Sequence, residues 1–188
     1  MARLGAPIVF TQLAWVAMLT TDTAMIGRLG PDALAGASRS LMIFFLTWVF
    51  CFGVITATAA LASQAFGARK PRMIRRVIRQ GFWVTIVLTV PAMIAFRYTP
   101  DLLGLLSQPP EILPHADAYM STLMWCLIPS IGFAVVRNFI SSLNRPTPAL
   151  WVMLAGVPLN GLLDYALIFG NFGLPRLELV GAGIATSI

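Results

Sequence analysis

Three residues in this chain have chemistry that their surroundings do not otherwise need. Asp22 is the only ionisable residue between Gly5 and Ile26, inside a long apolar run. Asp164 is the only charged residue between Thr147 and Pro175, inside another. Asn160 lies four residues before Asp164, on the same face of a helix. A lone carboxylate at the centre of a membrane helix costs about 2.5–3.5 kcal/mol, so an ion or proton site is the default reading. A snorkelling or helix-end aspartate is the plain alternative, because Asp22 stands only about one turn from Gly27. Two carboxylates and an amide shielded from water offer two chemistries. Their oxygens can ligate a hard cation such as Na⁺. They can also hold one proton between them, which one acid takes up and releases. Either event couples ion movement to a change of conformation.

The elements that must position these groups are membrane helices. Of the 188 residues, 58% are hydrophobic and 11% charged, and the mean hydropathy is +0.82. That is a membrane composition and predicts an all-α, polytopic protein. Apolar runs place helices at about 5–27, 33–66, 81–98, 118–141 and 147–169, with a sixth starting near 180 and cut off at Ile188. Pro7 falls in the first turns of the first helix, where it can start or bend it. The start, Met1-Ala-Arg3-Leu-Gly, is a poor signal peptide and reads as a retained first helix. Met73, Ile74, Val77 and Ile78 recur at helical spacing among arginines, so residues 67–80 read as an amphipathic cytoplasmic segment on the membrane surface. Its arginines would meet anionic lipid headgroups. The stretch from Tyr98 to Asp117 reads as a polar, proline-rich loop.

Charge sorts the two sides. The net charge is +6, and six of the 13 Lys and Arg lie between Arg69 and Arg79. Alternating the helices puts Arg3, that cluster, Arg137 and Arg145 on one side and Arg28, Arg39, Arg97 and Arg176 on the other. The positive-inside rule then makes the N-terminus cytoplasmic. On that topology the first and fifth helices both run outward. Asp22 and Asp164 then sit at one depth, about 7–9 Å below the outer boundary. The match favours a shared site.

Other classes find little support. A basic cluster beside two membrane helices marks a cytoplasmic loop rather than nucleic-acid binding. Cys51 and Cys126 lie in apolar runs and read as free thiols, and His115 is the one histidine. No zinc, nucleophile-elbow, phosphate-loop or dinucleotide motif is present, so neither an enzyme nor a metal centre is expected beyond Na⁺ at Asp22, Asn160 and Asp164. Small residues such as Ala33, Gly36, Ala37, Gly156 and Gly161 permit close helix packing. Met18, Met25, Trp48, Phe50, Phe52 and Trp151 offer an apolar lining for a pocket.

The motifs also resemble a family. Gln12, Asp22, Thr23, Met25, Gly27 and the run Leu29-Gly30-Pro31-Asp32-Ala33-Leu34-Ala35 look like the first helix and turn of the multidrug and toxic compound extrusion (MATE) transporters. Pro158-Leu-Asn160-Gly-Leu-Leu-Asp164 through Gly170 resembles their fifth helix, and Gly181-Ala182-Gly-Ile-Ala185-Thr186 the start of their sixth. The resemblance spans the chain in order. It implies a twelve-helix transporter of two six-helix bundles, of which this chain supplies most of the first, in a bacterial plasma (inner) membrane. It implies export of amphipathic, usually cationic, organic compounds or drugs by Na⁺ or H⁺ antiport, with no other cofactor. Asp22, Asn160, Asp164 and Thr186 fall on the family's ion-site positions in that bundle, and Pro7 on a first-helix proline tied to bending. Gln12, Met25 and Trp48 are the substrate-cavity candidates. The implied partners are drugs or organic cations, membrane lipids and the second six-helix half. Two other readings compete. One is a related flippase for lipid-linked precursors, which would want cationic groups at depth to bind phosphates. The other is a membrane fragment that does not transport.

Overall fold

Long apolar runs punctuated by Gly-Pro and Lys-Pro pairs become long helices. A computed structural model describes residues 2–142, 147–170 and 175–187. Helix α1 spans Ala2–Gly27 and passes without interruption through position 7. The Pro7 side chain, like those of Arg3 and Arg145, lies outside the described residues. Gly30 has φ 121°, which suits glycine, and Pro31 follows as the first residue of α2, Pro31–Gly67. The same device recurs at Lys70-Pro71, where α3 begins and runs to Phe96. A short α4, Thr99–Leu105, and a 3-10 turn, Pro110–Ile112, precede α5, Leu113–Leu123. A second 3-10 turn, Met124–Cys126, joins α5 to α6, Leu127–Ser142. Then come α7, Thr147–Phe169, and α8, Glu178–Ser187.

Five segments are long and apolar enough to cross a membrane: Val9–Gly27, Pro31–Gly67, Arg72–Phe96, Pro110–Ser141 and Thr147–Phe169. With α8 opening a sixth, the chain is an all-helical bundle of the expected class. The burial pattern is that of a membrane protein. Trp151 is 67% exposed and Leu162 60%, while Asp164 is 0% exposed. Lipid tails can cover the outward apolar side chains, so the polar ones turn inward.

Some expected boundaries need correction. The division into a surface segment over 67–80 and a third span from 81 does not hold, because α3 is one helix from Pro71. Gly81 does not interrupt α3, since glycine inside a helix costs only about 1 kcal/mol. Here it serves packing: a Cβ on Gly81 would meet Val135 of α6 at 3.0 Å. The α-helix of the fourth span starts at Leu113 rather than 118, and the expected loop before it holds α4. That span is also not one regular helix. Pro129 has no N–H for the Trp125 carbonyl and its ring crowds that carbonyl, which fits the 3-10 turn just before it.

Packing divides the bundle into two groups. Helix α1 lies chiefly along α7, which also packs on α8, while α2 packs on α3, α5 and α6. Helix α5 contacts α8 and joins the groups. One core cluster holds Ile26, Ala37, Tyr119, Leu123, Ile168 and Ala182, and so draws on α1, α2, α5, α7 and α8. The other holds Cys51, Ile55, Phe96, Met124, Leu127 and Ile131 between α2, α3 and α6. Ser40 of α2 fastens the joint, its buried hydroxyl donating to the Ala116 carbonyl of α5 at 3.0 Å.

Candidate functional site

Asp22 and Asp164 are the only charged residues among the buried ones described, at 4% and 0% exposure. Helices α1 and α7 run side by side and bring the two carboxyl groups within hydrogen-bonding reach of each other. Gly161 of α7 faces Thr21 of α1, and a Cβ there would meet the Thr21 methyl at an ordinary contact distance of 3.7 Å. Asn160 is buried one turn before Asp164 on the same helix. Thr186 enters from α8, its hydroxyl 3.4 Å from Asp22 Oδ2 and 2.9 Å from the Ala182 carbonyl. A hydroxyl has one hydrogen, so Thr186 donates to one of these oxygens at a time.

The structure therefore brings Asp22, Asp164 and Thr186 together from three helices, with Asn160 buried one turn away on α7. Asp22 Oδ1, both Asp164 oxygens and both amide atoms of Asn160 are buried without a hydrogen-bond partner. Unpaired buried polar atoms are costly. Four of the five are oxygens. Among the described residues the one ion pair is Arg176–Glu178, on the surface, so no arginine or lysine neutralises these acids. Two ionised carboxylates cannot donate to each other. A proton between them, or a hard cation on their oxygens, satisfies the site.

Two residues of this neighbourhood were not singled out from the sequence. Tyr119 of α5 is 1% exposed and lies beside Thr186 and both carboxyls. A lone tyrosine beside Met120 reads as core, and only its buried hydroxyl, which needs a partner, could have flagged it. Cys126 donates its thiol to the Thr186 carbonyl at 3.1 Å and holds that end of α8. Tyr119→Phe keeps the ring and removes the hydroxyl. It should fold normally, lose about 1 kcal/mol of stability, and shift the ion-concentration dependence of any activity that uses the carboxyl pair. Thermal unfolding and an ion titration check both parts.

The cavity candidates do not form one group. Gln12 and Trp48 belong to a cluster between α1, α2 and α6. Arg137 of α6 places its guanidinium 5.8 Å from the centre of the Phe52 ring and within 3.5 Å of Gln12 Oε1. Phe52 stacks on Trp48 at 4.9 Å, and Trp48 on Trp15 at 6.2 Å. Met25 instead lines a separate groove, about 490 Å³, with Thr20, Thr21, Arg28, Tyr165 and Phe169. Met18 and Phe50 appear in neither group, and Trp151 points outward.

The fold defines a polytopic helical membrane protein with a pair of acids buried between its helices. The MatE family profile matches residues 7–166. A probable multidrug resistance protein NorM of Bradyrhizobium diazoefficiens is 43% identical over 186 residues, 99% of this chain and 40% of its own length. That of Rhodopseudomonas palustris is 45% identical over 185 residues, 98% of this chain and 39% of its own. An outward-facing multidrug resistance MATE family transporter superposes with a TM-score of 0.86 at 21% identity, over 98% of this chain and 40% of that one. A MATE protein in the straight conformation gives 0.85 at 22% identity, over the same shares. The chain belongs to the MatE family, whose members are transporters and not enzymes. It spans about two fifths of the length of the relatives it matches.

Proposed function

We propose that this chain is the first, ion-coupled bundle of a MATE multidrug exporter, which expels amphipathic organic compounds in exchange for H⁺ or Na⁺. The carrying observation is the pair of buried carboxyls on α1 and α7, in reach of each other and without a cation. Asp22, Asp164, Asn160 and Thr186 form the coupling site. Protonation or Na⁺ binding cancels the repulsion between the acids and lets α1 close on α7. Ion release reverses this, so ion occupancy biases the bundle between two arrangements. Pro7 supplies a point at which the inner end of α1 can bend. The remaining half, matching the extra length of the relatives, completes the drug cavity. Basic residues at 69–79 favour an N-terminus in the cytoplasm of a bacterial inner membrane, with anionic lipids against α3.

The flippase alternative needs several cations at depth. Among the described residues Arg137 is the one arginine or lysine that is part-buried, which favours organic compounds over lipid-linked phosphates.

The test is export of a fluorescent drug from vesicles holding the full-length protein, driven by an imposed proton or Na⁺ gradient. The wild type should respond to one gradient, and Asp22→Asn should respond to neither while inserting normally. Export by Asp22→Asn at the wild-type rate sinks the assignment.

A further inference from the structure

Helix α3 opens with more positive charge than its surroundings balance. Arg72, Arg75, Arg76 and Arg79 fall in its first turns, and the chain has no acid between Asp32 and Asp101. All four arginines are exposed, and none has an ion-pair partner among the described residues. Like charges one turn apart on a helix repel each other. A topology signal asks only that positive charge be present. It does not ask that two of the four continue into rows of apolar side chains, and they do.

Arg75, Arg79 and Trp83 are spaced four residues apart and form one row along α3. Ile78, Phe82 and Ile86 form a second row beside it. Between the rows runs an open groove of about 410 Å³. It lies on the outward face of the helix. Phe82 is 41% exposed and Trp83 61%, while Val77, Thr85 and Thr89 on the other side of α3 are buried. Residues 80–96 carry no charge. They span about 25 Å of helix, close to the thickness of the hydrocarbon core. Arg79 therefore stands at the hydrocarbon boundary, Arg75 one turn out among the headgroups, and Trp83 one turn in, where tryptophan collects. The groove is cationic at its headgroup end and apolar at its hydrocarbon end.

We propose that this groove binds one anionic phospholipid, with Arg75 and Arg79 clamping the phosphodiester and an acyl chain lying along Trp83, Phe82 and Ile86. The charges are complementary, and the two-donor edge of a guanidinium matches a phosphate. A zwitterionic lipid offers the same phosphate but brings a cation of its own, which unbalanced arginines repel. The indole N–H of Trp83 can donate to the ester carbonyls just below the headgroup. Arg72 and Arg76 do not line the groove, so they add only the diffuse attraction of a basic surface. This inference rests on the lipid contact proposed for α3, narrows it to one site, and does not depend on drug export.

The test counts lipids retained by the purified full-length protein in native mass spectrometry. The probes are phosphatidylglycerol and phosphatidylcholine with the same acyl chains. The wild type should bind one phosphatidylglycerol at least about tenfold tighter than phosphatidylcholine, as two arginines at the surface allow. In Arg75→Gln with Arg79→Gln that ratio should fall to within about threefold of one. Arg72→Gln with Arg76→Gln removes the same charge from outside the groove and should leave most of the preference. Glycerophosphoglycerol, the headgroup without acyl chains, should not displace the lipid even in large excess. Thermal unfolding shows that each variant is folded. If both double variants lose the preference alike, anionic lipid contacts α3 through its general charge and the site falls. Displacement by glycerophosphoglycerol would show a plain phosphate site and also overturns the inference, as does a preference that survives in Arg75→Gln with Arg79→Gln. If the wild type shows no preference at all, the broader lipid contact fails and takes the site with it.

Discussion

Asp164→Asn should bring gradient-driven drug export down to background while leaving the protein at least as stable as the wild type. Most buried-charge substitutions destabilise, because they strand a partner. Asp164 has no cationic partner to strand: it faces another acid, and both of its oxygens lack a hydrogen-bond partner. Asparagine has nearly the same shape, and its amide can donate to Asp22 where a carboxylate cannot. The loss should be one of function alone. The melting temperature should lie within about 4 °C of the wild type or above it. On the proposed sharing of one ion, Asp22→Asn combined with Asp164→Asn should cost no more export than either change alone. A variant that exports at the wild-type rate would show that the pair is structural. A variant that unfolds would show that the carboxylate is held by an interaction not visible here.

This pair was legible in the sequence because its cost is local. A charged residue in an apolar run stands out in one dimension, and helix counting carries it to a depth. The fold class was legible for the same reason, since apolar runs of span length have few other uses. Readings that depended on direction around a helix were not. Arg137 counts as a basic residue near a cytoplasmic end, and nothing in its neighbours says that it turns toward Gln12 and Phe52. Tyr119 looks like any aromatic core residue until α8 brings Thr186 against it. The start of α3 was misplaced because the arginines up to Arg79 read as a separate surface segment, whereas one helix runs through them from Pro71 to Phe96. Thr186 became a site residue only through motif resemblance. Its own neighbours, alanines and small polar residues, carry no signal until α8 meets α1.

That dependence on close approach yields the second large effect. Gly183→Ala should lower the melting temperature and abolish export together, and Thr122→Ala should restore part of both. Helix α8 lies so near α5 that a Cβ on Gly183 falls on Thr122 Oγ1, with Thr122 Cβ 2.8 Å away. Overpacking of this kind costs about 1–3 kcal/mol, or some 2–12 °C in a protein of this size. The relief comes by moving α8 outward, which draws Thr186 from Asp22 and Cys126 from the Thr186 carbonyl. Stability and coupling therefore fail through one displacement. Thr122→Ala removes the Oγ1 clash and leaves the Cβ contact, so recovery should be incomplete. Gly36→Ala provides the contrast. Its added Cβ meets Ala116 N at 2.9 Å and the Ile112 carbonyl at 2.9 Å, and backbone cannot be trimmed by a second substitution. It should lose as much stability and have no comparable rescue. If Gly183→Ala melts with the wild type, α5 and α8 accommodate the added methyl, and Thr186 is held by something other than that packing. If it destabilises but still exports, then Thr186 does not belong to the coupling site, and the two carboxyls and Asn160 must hold the ion without it.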